Sequence, residues 1–156
     1  MPHVHEKIDF TVEVFVVYKD KVLLRKHDKY GIWLGVGGHI ELDEDPNQAA
    51  VREVKEEVGL NVTIISDPLS VWQGAQEEKE LAPPKFLNRH RISDTHEHVT
   101  MVYFAKSDTD TVVAESHDRS DEWKWLTYDE LEQNTYGVKE NIIFYAKRAL
   151  QELGTQ

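Results

Sequence analysis

The sequence has no cysteine, which excludes disulfides, thiolate metal sites and a thiol nucleophile together. It has no apolar run near the roughly 18 residues needed to cross a bilayer, so no membrane partner is expected. The opening stretch MPHVHEKIDF lacks the charged-then-apolar order of a secretory signal, and the expected location is cytoplasmic. Positive charge is also scarce: 18 Lys and Arg stand against 29 Asp and Glu, a formal net charge of −11. Nucleic-acid binding relies on neutralising phosphates with Lys and Arg, so no nucleic-acid partner is expected. A small anionic ligand remains compatible with this balance, provided local cations or bound metals reverse the field.

The 156 residues suit one domain with a single buried core, and no repeat or linker divides residues 1–156. IDFTVEVFVVY alternates Ile8, Phe10, Val12, Val14 and Val16 on one face, the period of a strand. A KDK turn and VLLRK then predict a hairpin over Thr11–Leu24. IWLGVGG reads as a short strand entering a glycine pair. Asp45, Pro46 and Gln48 mark a capped helix start, and Gly59 marks its stop, so helix is expected from Pro46 to Val58. NVTIISDPLSVWQ reads as strand, interrupted at Asp67-Pro68. Gly74 to Glu97 reads as a long polar connection, HVTMVYFAK and EWKWL as strands, and TYDEL as a short helix. VKENIIFYAKRALQEL is a closing amphipathic helix with Val138, Ile142, Ala146, Ala149 and Leu153 on one face. This order predicts an α/β (α+β) fold with a mixed sheet between helices.

Within the capped helix, Glu53, Glu56 and Glu57 stand at i, i+3 and i+4, on nearly the same patch of surface. Like charges so placed repel and destabilise a helix. The glycine pair ahead of the helix, Glu44 at its mouth and Arg52 beside Glu53 make a hard divalent cation the better explanation, since such ions take carboxylate oxygens and leave room for phosphates.

Written out, the segment is Gly38, five residues, Glu44, seven residues, then Arg52-Glu53-Val54-Lys55-Glu56-Glu57-Val58-Gly59-Leu60. It resembles a complete Nudix box, G-x5-E-x7-R-E-U-x-E-E-x-G-U with U a bulky aliphatic, and every specified position is filled. One departure is Val36, where many members have proline. The resemblance implies a Nudix fold, a mixed sheet sandwiched between helices, and hydrolysis of a nucleoside diphosphate linked to another group with Mg²⁺ or Mn²⁺. It implies that Glu53, Glu56 and Glu57 hold metal or activate water and that Arg52 orients a catalytic glutamate. Glu44 and the Gly37 carbonyl then support or join the metal site. The substrate expected is a small nucleotide, first a nucleoside triphosphate, with ADP-ribose or a nucleotide sugar as the alternative. A Nudix-fold nucleotide sensor without catalysis is the rival from another class. ADP-ribose-cleaving members carry a proline, and diadenosine-polyphosphate members a tyrosine, in a region that here reads GAQEEKE.

Outside the box, some members take a further metal-binding acid from a loop, and Glu122 and Asp118 are the preferred pair here. Arg25 and His27, after the second hairpin strand, are candidate phosphate contacts. Phe86 and Arg91 in the long connection are candidate substrate contacts, and Trp72 or Tyr103 are candidate stacking partners for a base. His96-Glu97-His98 resembles a metal-binding fragment, although two histidines alone are a weak signal. The assembly is expected to be a monomer or homodimer.

Overall fold

Strand β1 (Ile8–Tyr18) organises the molecule, because each of its two faces serves a different helix. The computed structural model describes residues 7–27, 29–74, 77–113 and 122–155. After β1 come β2 (Lys21–Lys26), β3 (Trp33–Leu34), β4 (Val36–His39), α1 (Pro46–Val58) and β5 (Val62–Ile64). A 3-10 turn at Pro68–Ser70 leads to β6 (Phe86–Arg91), β7 (Glu97–Ser107), β8 (Glu122–Thr127), α2 (Tyr128–Gln133) and α3 (Glu140–Leu153). These strands form one mixed sheet, parallel between β1 and β7 and antiparallel at its other pairings.

Side chains alternate across a strand, and on β1 this places Val12, Val14 and Val16 in a core with Ala49, Ala50, Val54 and Val58 of α1. Phe15 and Val17 point the other way, into a core with Ile142, Ala146 and Ala149 of α3. The expected sheet between helices is therefore what forms. On the α3 side, however, the N-terminal half of β1 carries Asp9, Thr11 and Glu13 in place of apolar residues. The core stops there and a cleft begins.

Helix α1 has the predicted ends. The Asp45 carboxylate accepts from the Gln48 backbone N–H at 2.8 Å, and the Gln48 side chain accepts from the Asp45 N–H at 2.9 Å. Gly59 closes the helix in the left-handed region at φ 70°, where glycine has no Cβ penalty.

Three expectations need correction. IWLGVGG is not one strand: it breaks at Gly35, with β3 pairing β2 and β4 pairing β1. NVTIISDPLSVWQ holds strand only from Val62 to Ile64, because Asp67 caps the 3-10 turn that Pro68 starts. Gly74 to Glu97 is not unstructured throughout, since Phe86–Arg91 forms β6 and pairs with β7 from Phe86↔Val102 to Arg91↔Glu97. Most of β6 is exposed, and a solvated strand shows no apolar alternation to read.

Gly37 faces β1, and a Cβ there would run into the Val12 carbonyl oxygen. Gly37→Ala should therefore push β4 off β1. Its melting temperature should fall well below that of Val36→Ala, which only removes buried methyl groups; equal melting temperatures for the two variants would refute the steric argument.

Candidate active site

The Arg52 guanidinium binds the acidic cluster together. Its Nε and Nη2 donate to the two oxygens of Glu44 at 2.9 and 2.7 Å, while Nη1 donates to Glu53 Oε1 and Glu56 Oε2, each at 3.1 Å. Nη2 also donates to the His39 carbonyl at 3.0 Å, which ties helix α1 to the end of β4. Bidentate carboxylate pairing of this kind is strong and directional. The hydrogen bond from Arg52 holds the Glu44 carboxyl below the usual carboxylate range, against some burial. Glu44 receives a further bond from the Glu41 N–H at 2.9 Å.

Glu53 is buried directly under the glycine pair, and a Cβ on Gly38 would collide with its carboxylate. Burial pushes the Glu53 carboxyl up, with Arg52 opposing. Glu57 meets a second cation: its Oε2 lies 2.6 Å from Arg25 Nη1, with both side chains largely enclosed. Burial still dominates and pushes the Glu57 carboxyl up to about 7, despite Arg25 and a backbone hydrogen bond from Gly37. Glu56 is the exposed member of the set.

A cleft of about 820 Å³ opens beside this cluster, a size that suits small-molecule ligands. It exists because the sheet forks. The edge of β1 is taken by β2 only at Val17 and Tyr18, and by β4 from Thr11 to Val14. Between these branches Arg25 reaches both Glu57 and the cleft wall. Gly37, expected to support a metal, and His27 and Arg91, expected to contact substrate, also line the cleft.

Other candidates lie elsewhere. Phe86 is in β6 and its ring sits 5.2–6.1 Å from those of Tyr145, Phe144 and Phe104, so it belongs to the aromatic packing under α3. Tyr103 is buried on the α1 side and Trp72 is exposed away from the cleft wall. Tyr30 is the aromatic residue that lines the cleft. Glu122 faces Lys26 across β2 and β8 at 3.8 Å and is exposed. Asp118 lies outside the described residues.

Several cleft residues were missed by the sequence reading. Lys139 and Asn141 come from the start of α3, and Asn88 from the hidden strand β6. Glu13 is the carboxylate among the lining residues; its Oε1 accepts from the Gly35 N–H at 2.9 Å, and burial pushes its pKa up to about 7 against that bond. A lone acid within the apolar strand VEVFVV was the available signal.

The raised Glu57 value has a thermodynamic sign. From the ordinary carboxylate range up to about 7, the folded protein holds a proton that the unfolded chain releases. Its contribution is therefore most favourable at low pH and is lost as pH rises through that window. In metal-free protein, the stability of Glu57→Gln relative to wild type should improve from pH 5 to pH 8, by up to about 3 kcal/mol. Calorimetry at several pH values checks this, and a difference independent of pH would mean that the carboxyl is ionised throughout.

Comparison with known proteins agrees with this geometry. The family model described as NUDIX domain matches residues 9–147. A solved Nudix-family hydrolase from Clostridium perfringens is 38% identical, with a TM-score of 0.82 over 93% of this chain and 97% of that one. An Ap4A hydrolase from C. elegans shares the fold at 19% identity, with a TM-score of 0.61 over 92% and 93% of the two chains. The RNA pyrophosphohydrolase of Roseobacter denitrificans is 26% identical over 120 residues, which cover 76% of this chain and 74% of that protein. With the family's domain spanning nearly the whole chain and its acidic helix complete, the protein belongs to the Nudix family and is a Nudix hydrolase.

Proposed function

We propose that the protein hydrolyses the phosphoanhydride bond of a small nucleotide, in the first place a nucleoside triphosphate, with Mg²⁺ or Mn²⁺ held by Glu53, Glu56 and Glu57. The observation that carries this reading is a local reversal of charge. A chain of net charge −11 lines this cleft with Arg25, Arg91 and Lys139, against Glu13 as the one carboxylate among the described lining residues. Such a lining attracts an anion that the rest of the surface repels.

The donor set fits the metal. Hard carboxylate oxygens converge around one guanidinium, and burial leaves the ionised form of Glu57 incompletely compensated. Those are conditions that a divalent cation would relieve. When bound, the cation neutralises phosphate charge and lowers the pKa of the attacking water. Glu44, whose two oxygens are engaged by Arg52, supports the set from behind, and the Gly37 carbonyl is a further donor. Arg52 fixes the directions of Glu53 and Glu56. One of the three glutamates, assigned jointly, takes the proton from water as it attacks phosphorus. Arg25, Arg91 and Lys139 receive phosphate oxygens, and Tyr30, Ile32 and Ile92 give the base an apolar wall.

A second reading, removal of pyrophosphate from an RNA 5′ end, is favoured by the named activity of the Roseobacter relative. The acidic surface opposes contact with a long RNA beyond its terminal nucleotides.

A panel of (d)NTPs, oxidised (d)NTPs, ADP-ribose, NADH, dinucleoside polyphosphates and 5′-triphosphorylated RNA, assayed with Mg²⁺ for phosphate or pyrophosphate release, decides between these. Glu57→Gln should lower kcat on the preferred substrate by on the order of 10²–10⁴-fold. Arg91→Ala should mainly raise KM. A panel with no turnover, or a fully active Glu57→Gln enzyme, would refute the proposal.

A further inference from the structure

We propose that Asp9, His39 and His98 form a second metal site, distinct from the glutamate cluster, for a divalent transition metal of the Zn²⁺ and Co²⁺ class. The sheet register builds it. His39 on β4 lies opposite Thr11, and Asp9, two residues earlier on β1, shares the face of Thr11. Asp9 in turn lies opposite His98 on β7. Three neighbouring strands thus deliver one carboxylate and two imidazoles to one patch on the cleft side.

The donor atoms of these three residues all lie within 4.8 Å of one another. Asp9 Oδ2 is 3.3 Å from His39 Nε2. Ligand atoms about 2.0–2.2 Å from a tetrahedral zinc stand about 3.3–3.6 Å apart, so the Asp9–His39 pair already has the spacing of two ligands. The His39 and His98 rings meet edge to face at a centroid distance of 5.0 Å. His96 approaches the same Asp9 oxygen at 3.1 Å, the position of a residue that orients a ligating carboxylate. Asp9 is 1% exposed, so its carboxylate is shielded from solvent beside these histidines.

Donor chemistry separates the two sites. The α1 cluster offers carboxylate oxygens, which suit Mg²⁺ and Mn²⁺, whereas two imidazoles and one carboxylate suit Zn²⁺, Co²⁺ or Ni²⁺. His39 and His98 both line the cleft, so the remaining coordination position opens toward it. His39 is two residues beyond Gly37 on the same strand, about 6.6 Å along the backbone. An ion there can accept an oxygen or nitrogen donor from a molecule held in the cleft.

The test uses the full chain without an affinity tag, stripped of metal and then held in saturating Mg²⁺ to occupy the glutamate cluster. Co²⁺ is the probe, because nitrogen ligation at low coordination number intensifies its visible absorption. One equivalent of Co²⁺ should bind with that spectrum, and Zn²⁺ should displace it and raise the melting temperature. His98→Gln should weaken Co²⁺ binding by at least the roughly 10–100-fold that loss of an outer-shell partner costs and abolish the thermal shift, while Glu53→Gln and Glu57→Gln retain both. Asp9→Asn serves as a second ligand variant if circular dichroism shows it folded; His98→Gln, altering a partly exposed residue, carries the test alone if it is not. No bound equivalent, a spectrum that survives His98→Gln, or one that disappears with the glutamate variants would overturn the proposal.

Discussion

A single guanidinium makes the acidic face of α1 possible. Glu44, Glu53 and Glu56 all accept hydrogen bonds from Arg52, and without that cation only the Arg25–Glu57 pair would offset the repulsion at i, i+3 and i+4 spacing. The same side chain reaches the His39 carbonyl, so the helix bearing the acids and the strand ending in the glycine pair are held in one frame. The residual imbalance is uneven. Glu44 is satisfied, while Glu53 and Glu57 remain harder to ionise than ordinary carboxyls because burial outweighs their cations. Preorganisation of this type stores electrostatic demand on the acidic face of α1.

The cleft depends on how β1 shares its edge. Had β2 paired along the whole of β1, the sheet would have closed and left no route between Arg25 and the α3 side. The break at Gly35 lets β3 follow β2 and β4 follow β1. Cations then gather from elements far apart in sequence: Arg25 from β2, Arg91 from β6 and Lys139 from the start of α3. An acidic protein thereby acquires a basic interior wall without changing its overall charge.

What could be read from the sequence was local. The capping box, the glycine stop and the acid spacing of α1 are set by residues three to fourteen positions apart, and each took the form expected of it. Strand β6 escaped because only Phe86 and Asn88 of its six residues are even half-buried, so burial leaves no alternating trace. Phe86 itself was misread for the same reason: without the strand, its ring had no visible place in the core. The grouping of Asp9, His39 and His98 was out of reach on different grounds. Its meaning comes from strand register across β4, β1 and β7, and one sequence with no partner strand assigned carries no register.

The two-sided character of β1 has a consequence for how such a protein can change over evolutionary time. Asp9, Thr11 and Glu13 sit on the cleft side, while Val12, Val14 and Val16 hold the sheet to α1. Neighbouring codons therefore answer to separate selective demands. Drift at alternate positions can refit the chamber to a new guest while the scaffold inherits its old packing, whereas one inserted codon in this strand would exchange the two roles and forfeit both.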